Sequence, residues 1–336
     1  ATKKIQSALL LDTSNSMGGL INQAKNQLWE TISHLSKQAP EAEIEIALYH
    51  YGNDGLSIYN DYVDQVLSFT NNLDKVSSAL FNLRTNGGSE FCGSVINKSA
   101  QELMWDNKPT TQKVLVIAGN EAFTQGSVHY SEAIAKARKK SIKVNTIFCG
   151  PANGTIYNGW KKGAQLGYGQ SFTINQNSDV QQITTPYDDQ ILSCNTKLNK
   201  TYVPIYEEQI IEKEVMEDSD IKQEIEQKER LVEKALVKKN KNVYKKDTWD
   251  AVDNYFSNSE SIGAVRNSGK GQLTPIFQNK SDEEIKEVIE DLNIERNELH
   301  KELGELEVKR QKYITEHRDA AKDKTLGEQL VNAILK

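Results

Sequence analysis

The sequence predicts an α/β fold: a doubly wound, mainly parallel sheet followed by a charged α-helical C-terminal extension. Three observations predict it. Apolar runs such as Ala8–Leu11 and Val114–Ala118 are short and continuous rather than alternating, as in strands buried on both faces of a parallel sheet. The stretches between such runs carry apolar residues at helical spacing. After about Tyr206 the composition shifts: residues 207–242 contain no Gly or Pro and are dominated by Glu, Lys, Gln and Ile. A chain of 336 residues with a mean hydropathy of −0.62 fits a good core plus a polar, helical appendage.

The elements follow in order. Residues 5–11 read as a buried strand. Leu20, Ala24, Leu28, Ile32 and Leu35 then mark an amphipathic helix, and Pro40 closes the link to a second strand, Ile44 to Tyr51. Gly52-Asn53-Asp54-Gly55 is turn chemistry. Val63 to Phe69 reads as a third strand or extended edge, and Leu73 to Leu83 as a helix. A glycine-containing loop, residues 84–90, precedes a helix from about Cys92 to Leu103. The most apolar strand, Val114–Ala118, ends in Gly119-Asn120-Glu121. A helix over Tyr130–Lys140, a strand over Val144–Cys149, a helix around Trp160–Leu166 and a strand over Gln170–Ile174 complete the alternation. Strands separated by helices imply right-handed crossovers, and ligands in such sheets sit at the C-terminal ends of the strands.

The predicted organisation is an α/β domain over 1–205, a helical extension over 206–256, a linker or loop over 257–280 and a C-terminal helix or helical hairpin over 281–336. Residues 207–242 read as a long, exposed helix. The linker is rich in Asn, Ser and Gly and interrupted by Pro275. Asp188-Asp189 reads as the start of a helix running to Lys200, and Ser281-Asp282-Glu283-Glu284 as a capped helix start. From there Ile285, Leu292, Leu299, Leu306 and Tyr313 recur every seven residues. Arg296 and Arg310 occupy the weaker alternate seam, which favours a hairpin against residues 207–242 over a long symmetric coiled coil.

Chemistry concentrates where the first strand ends. Asp12 is followed at alternate positions by Ser14 and Ser16, three hard oxygen donors within one turn of chain. Such donors suit Mg²⁺, with Ca²⁺ or Mn²⁺ as alternatives, rather than a soft metal. The competing reading is that Asp12 or Ser14 caps the helix that follows. Other classes find little support. A net charge of −6 gives no reason to expect nucleic acid or anionic lipid as partner, and no apolar run approaches the ~20 residues of a transmembrane helix. There is no Gly-x-Ser-x-Gly elbow, no Walker A loop and no Cys or His spacing for zinc.

Asp12-Thr13-Ser14-Asn15-Ser16 has the Asp-x-Ser-x-Ser form that opens von Willebrand factor type A (VWA) domains, and Gly87-Gly88-Ser89 falls where that family has Gly-Gly-Thr. From about Ile5 to Ile174 the chain resembles that family. The chain is also similar to a bacterial VWA subgroup carrying Tyr-Gly-Asn-Asp-Gly, Thr-Asn-Gly-Gly, Ala-Gly-Asn-Glu and Thr-Pro-Tyr-Asp-Asp, here residues 51–55, 85–88, 118–121 and 185–189. The resemblance implies a Rossmann-like sheet with a metal-ion-dependent adhesion site at its C-terminal edge. It implies metal ligands at Asp12, Ser14, Ser16 and Ser89. The family's third contribution is an Asp after the fourth strand, and here Gly119 stands in its place. Glu121 or Glu90 is then the carboxylate expected to supply the missing charge, or the site is altered.

The function expected on this basis is non-enzymatic: metal-dependent adhesion or complex assembly with a protein partner that offers an acidic side chain. Two alternatives are a structural subunit of a cell-envelope complex held by the C-terminal helices and, less favoured, a Mg²⁺-dependent phosphatase-type enzyme. The chain begins Ala1-Thr2-Lys3-Lys4 without an initiator Met, which fits a mature exported protein, periplasmic or at the cell surface, and leaves a cytoplasmic location open. Cys92 and Cys149 are both expected near the C-terminal edge of the sheet, either as a disulfide or as two buried free thiols.

Overall fold

A computed structural model describes residues 3–178, 182–317 and 325–335. The chain divides into two compact units, residues 1–181 with 320–336, and residues 182–319.

In the first unit, β1 (Lys3–Asp12) runs into α1 (Gly18–Gln38) through one turn of 3₁₀ helix, and β2 (Ala42–Tyr51) and β3 (Val63–Thr70) follow. The order continues with α2 (Leu73–Asn82), α3 (Cys92–Glu102), β4 (Gln112–Gly119), α4 (Tyr130–Lys139), β5 (Lys143–Phe148), α5 (Gly154–Leu166) and β6 (Tyr168–Thr173). The sheet order is β3-β2-β1-β4-β5-β6, parallel throughout except for the antiparallel edge pair β2–β3. This is the doubly wound sheet that the continuous apolar runs predict. β1 lies at its centre, buried from Ile5 to Asp12, because apolar side chains alternating to both faces find a helix layer on each side. On one face Leu10, Tyr49, Ile117 and Phe148 pack with Val95, Ile134 and Trp160 from α3, α4 and α5.

The second unit contains α6 (Asp188–Thr201), α7 (Ile210–Glu226), α8 (Lys228–Lys238), α9 (Ala251–Ser257), α10 (Ile262–Arg266) and α11 (Asp282–His317). Three expectations need correction here. The single exposed helix expected over 207–242 is two helices, broken where Gln227 adopts an extended backbone (φ −166°, ψ 112°). It is also only partly exposed. α8 buries Leu231, Val232 and Leu236, and its Lys234 and Lys238 lie fully inside, ion-paired at 2.5 and 2.7 Å to Asp220 of α7. The stretch 257–280, expected as linker or loop, is mostly loop but carries α10, and Val265 and Phe277 from it enter a core with Tyr206, Val252, Tyr255, Ile285 and Ile289.

The heptad positions Ile285, Leu299 and Leu306 of α11 are buried, and so are the two arginines that weaken the seam. Arg296 reaches Asp250 (2.9 Å) and Asp253 (3.0 Å), while Arg310 reaches Asp188 (3.1 Å) and Glu233 (2.6 Å). Within this unit α11 packs on α6, α8 and α9 rather than on one antiparallel partner.

The last helix, α12 (Leu326–Leu335), belongs to the first unit, so 281–336 is not one helical segment; residues 318–324 lie outside the described residues. α12 packs against α1 and against β4, β5 and β6. Its first amides, of Leu326 and Gly327, donate to the side chains of Gln23 and Gln27, each at 2.8 Å. Near its other end Asn145 and Gln112 donate to the carbonyls of Ala333 and Ile334, each at 2.5 Å. Buried or half-buried polar side chains thus satisfy backbone groups that a helix leaves open at its ends.

Candidate metal centre

Three loops meet at the C-terminal edge of the sheet. β1 carries Asp12 there, fully buried. Its Oδ1 accepts the Ser14 amide at 2.8 Å, a turn in which a short carboxylate bonds the backbone two residues on. Its Oδ2 is buried with no hydrogen-bond partner. Ser14 is buried and Ser16 exposed, with their hydroxyls 3.4 Å apart. Capping of the following helix is not their role, since neither Ser14 nor Met17 makes a side-chain cap bond.

The second loop, residues 83–91, is stitched to the first by main-chain bonds. The Asn86 amide donates to the Thr13 carbonyl and the Asn15 amide to the Gly87 carbonyl, both at 2.9 Å. Gly87 is left-handed (φ 69°), and a Cβ there would fall 2.1 Å from Cγ of Asp54, so only glycine fits. Ser89 is half-buried, and Glu90 turns inward and is buried. Burial pushes the Glu90 carboxyl up, partly offset by the polar Ser14 and Gln125 side chains near it. Gly52 (φ 75°) makes room for this approach: a Cβ on it would lie 2.9 Å from both Asp12 Oδ1 and Glu90 Cγ.

The third loop follows β4. Asn120 Nδ2 lies 3.3 Å from the Ser16 hydroxyl, and half-buried Glu121 accepts the Trp160 indole N–H at its carbonyl (2.7 Å). Gly119 explains the missing aspartate. A Cβ on it would lie 2.6 Å from the Tyr51 hydroxyl and 3.0 Å from Asp12 Oδ2, so a side chain has no room. The Tyr51 phenol fills the space instead, its hydroxyl donating to the Ala118 carbonyl at 3.2 Å.

Of the sequence-predicted residues, Asp12, Ser14 and Ser16 are joined by hydrogen bonds, and Glu90 approaches Asp12 across Gly52. Glu121 is close enough to Asp12 and Glu90 to raise both by like-charge repulsion. Burial first, then those two carboxylates, push Asp12 up to about 7, against the hydrogen bonds from Ser14. Among the described residues no three or more His, Cys, Asp and Glu side chains are grouped as a metal site. A site here would instead mix one or two carboxylates with serine hydroxyls. That donor set, with a buried carboxylate oxygen left unpartnered, fits a hard divalent cation.

Cys92 and Cys149 are not bonded: Cys92, Cys149 and Cys194 are all free and buried. Cys92 directs its thiol to the Tyr51 hydroxyl (3.8 Å), while the Cys149 amide bonds the Gly119 carbonyl (2.8 Å). Burial raises both thiols well above their ordinary range, which leaves them protonated and inert.

Sequence reasoning missed Tyr51, Thr13 and His50. Thr13 donates to the Tyr51 carbonyl (3.2 Å) and pairs with His50 Nδ1 (2.9 Å), so the back of the first loop is held by β2. The available signal was two aromatic residues at alternate positions, Tyr49 and Tyr51, directed to one face of β2.

Residues 8–185 match the family model of the von Willebrand factor type A domain, slightly more than half of the chain. The chain belongs to the VWA family. Domains of this family generally mediate protein–protein interaction and are typically non-enzymatic. Among solved structures, an aerotolerance-related membrane protein from Bacteroides fragilis is 16% identical, with 52% of this chain and 93% of that chain covered and a TM-score of 0.35. The SpRpn10 VWA domain is 15% identical over 50% of this chain and 87% of its own, with a TM-score of 0.39. BatB from Bacteroides thetaiotaomicron is 16% identical over 51% and 90%, with a TM-score of 0.37. No curated protein matches the chain significantly. Among the described residues no helix is long and apolar enough to cross a membrane.

Proposed function

We propose that the VWA unit captures a protein partner through a divalent cation, Mg²⁺ best, held at the C-terminal edge of its sheet. Asp12 and Glu90 would supply the carboxylates, Ser14, Ser16 and Ser89 the hydroxyls, and Glu121 further negative charge at the rim. The bound ion would present an electrophilic face that takes an acidic side chain of the partner. The observation that carries this reading is Asp12 Oδ2, buried without a hydrogen-bond partner and set beside the Ser14 and Glu90 side chains. An acceptor in that state is costly unless a proton or a cation satisfies it.

The roles of the chain's own groups follow from their bonds. The Ser14 amide fixes the Asp12 rotamer, so that Oδ1 is held and Oδ2 is presented. Gly52 lets Glu90 approach Asp12, and Gly87 lets the second loop turn past Asp54. Tyr51 closes the floor beneath them and keeps water out from the core side.

Calorimetric titration of the metal-stripped full chain with Mg²⁺, Mn²⁺ and Ca²⁺ tests the reading. Saturable heat with at least one ion, lost in Asp12→Ala, is expected. Silence with all three ions overturns it.

A further inference from the structure

α7 carries a stripe that the rest of its unit does not cover. Ile211, Glu214, Asp218, Ile221 and Ile225 stand three and four residues apart, the spacing of a helix–helix seam, and all five are exposed. Ile211 is 57%, Ile221 52% and Ile225 79% exposed, an unusual loss of apolar burial for one helix face. The middle of the stripe is acidic. Either symmetric pairing of two such stripes about their centre sets Asp218 against Asp218, so α7 does not suit itself as a partner.

The complementary surface is on the same chain, in the other unit. The outward face of α4 presents Ala135, Lys136 and Lys139, all exposed, with Arg138 and Lys140 beside them. Across Gln112–Ser178 the only carboxylates are Glu121, after β4, and Glu132, in the first turn of α4. Glu132 is exposed one turn before Ala135 and Lys136 on the same face, so the cationic part of the surface is the last turn of α4. The chain is acidic as a whole, so this half of the VWA unit is a local inversion of its sign. Lys136 holds Asn97 at 2.9 Å and Arg138 stacks 3.8 Å over the Tyr168 ring, itself 70% exposed, so the cations stand on a fixed surface. Small Ala135, beside Lys136 and one turn before Lys139, leaves a shallow place where a branched side chain can seat.

We propose that α7 of one copy docks on α4 of a second copy. Glu214 and Asp218 face Lys136 and Lys139, and the flanking isoleucines cover Ala135 and the aliphatic stems of the lysines. The contact is heterologous: each copy keeps one α4 and one α7 surface open, so association runs head to tail and grows with concentration. These surfaces share no residue with the candidate metal centre.

Sedimentation velocity of the full chain in EDTA, across a wide concentration range and at low and high salt, is the test. The sedimentation coefficient is expected to rise with concentration at low salt and to fall back as salt screens the charges. K136E/K139E and E214K/D218K are each expected to weaken association by about tenfold or more, with unchanged circular dichroism. An equimolar mixture of the two charge-reversed variants is expected to associate again, because each restores the other's complement. A wild-type coefficient independent of concentration overturns the proposal, including the case where the two surfaces meet within one chain. So does a mixture that stays monomeric.

Discussion

The hydroxyl of Tyr51 stands 2.6 Å from where a β-carbon on Gly119 would lie, closer than any relaxed contact allows. In the family an aspartate occupies that strand end; here a phenol from the neighbouring side of β1 has taken its volume. Gly119→Ala is therefore expected to destabilise by about 1–3 kcal/mol through overpacking. Tyr51→Phe removes the closest atom, so in that background the same change is expected to cost less. A double-mutant cycle by urea denaturation reads the coupling, and strictly additive effects would contradict the steric account.

Asp12 makes the metal-free protein sensitive to pH. Its folded-state value is raised from 3.8 to about 7, so between those values the folded state holds a proton that the unfolded state has lost. Stability is then greatest at the acidic end of this window and falls as pH rises through it. Chemical denaturation in EDTA at about pH 5 and pH 7.5 is expected to show that fall. Asp12→Asn is expected to flatten it, and an equally steep wild-type-like slope in the variant would assign the effect elsewhere.

Glu90 is expected to stand in for the absent aspartate. Glu90→Gln keeps the shape and removes the charge, and metal affinity is expected to drop by about tenfold or more, worth ~1.4 kcal/mol. Glu121→Gln, at the half-buried rim, is expected to lose less. Titration calorimetry of both variants beside the wild type gives the order.

Arg296 is buried with Asp250 and Asp253 in the helical unit, and its loss leaves carboxylates without a counter-charge. Arg296→Met is expected to destabilise that unit by about 3–5 kcal/mol. Asp250 also accepts the amides of Asp253 (2.9 Å) and Val203 (2.7 Å), so the start of α9 and the segment after α6 should loosen together. Hydrogen exchange is expected to rise at both places, and a rise confined to α11 would refute this.

Thiol titration of the unfolded, unreduced chain is expected to count three free cysteines, and the folded chain is expected to react slowly, because all three are buried. Fewer than three would reinstate a bond.

Much of the VWA unit was legible in the order of residues. A strand buried on both faces must be apolar at successive positions, so β1 and β4 announce themselves, and Asp12-x-Ser14-x-Ser16 marks the strand end where hard oxygen donors gather. Glycines at 52 and 87 also read correctly as turns, since left-handed backbone favours them.

What the order of residues could not decide depends on partners distant in sequence. Gly119 looks like a lost ligand until Tyr51 is found in its place, 68 positions earlier by numbering but reaching over from the end of β2 across β1. Arg296 and Arg310 look like flaws in a heptad until Asp250, Asp253, Asp188 and Glu233 surround them. The last helix, α12, follows a long charged stretch yet packs on α1 and the sheet, where Gln23, Gln27, Gln112 and Asn145 wait for its open ends. Periodicity determines which face of an element is apolar. Only the folded chain determines which polar group each buried polar group meets, because that pairing is set by long-range packing and not by neighbours in the sequence.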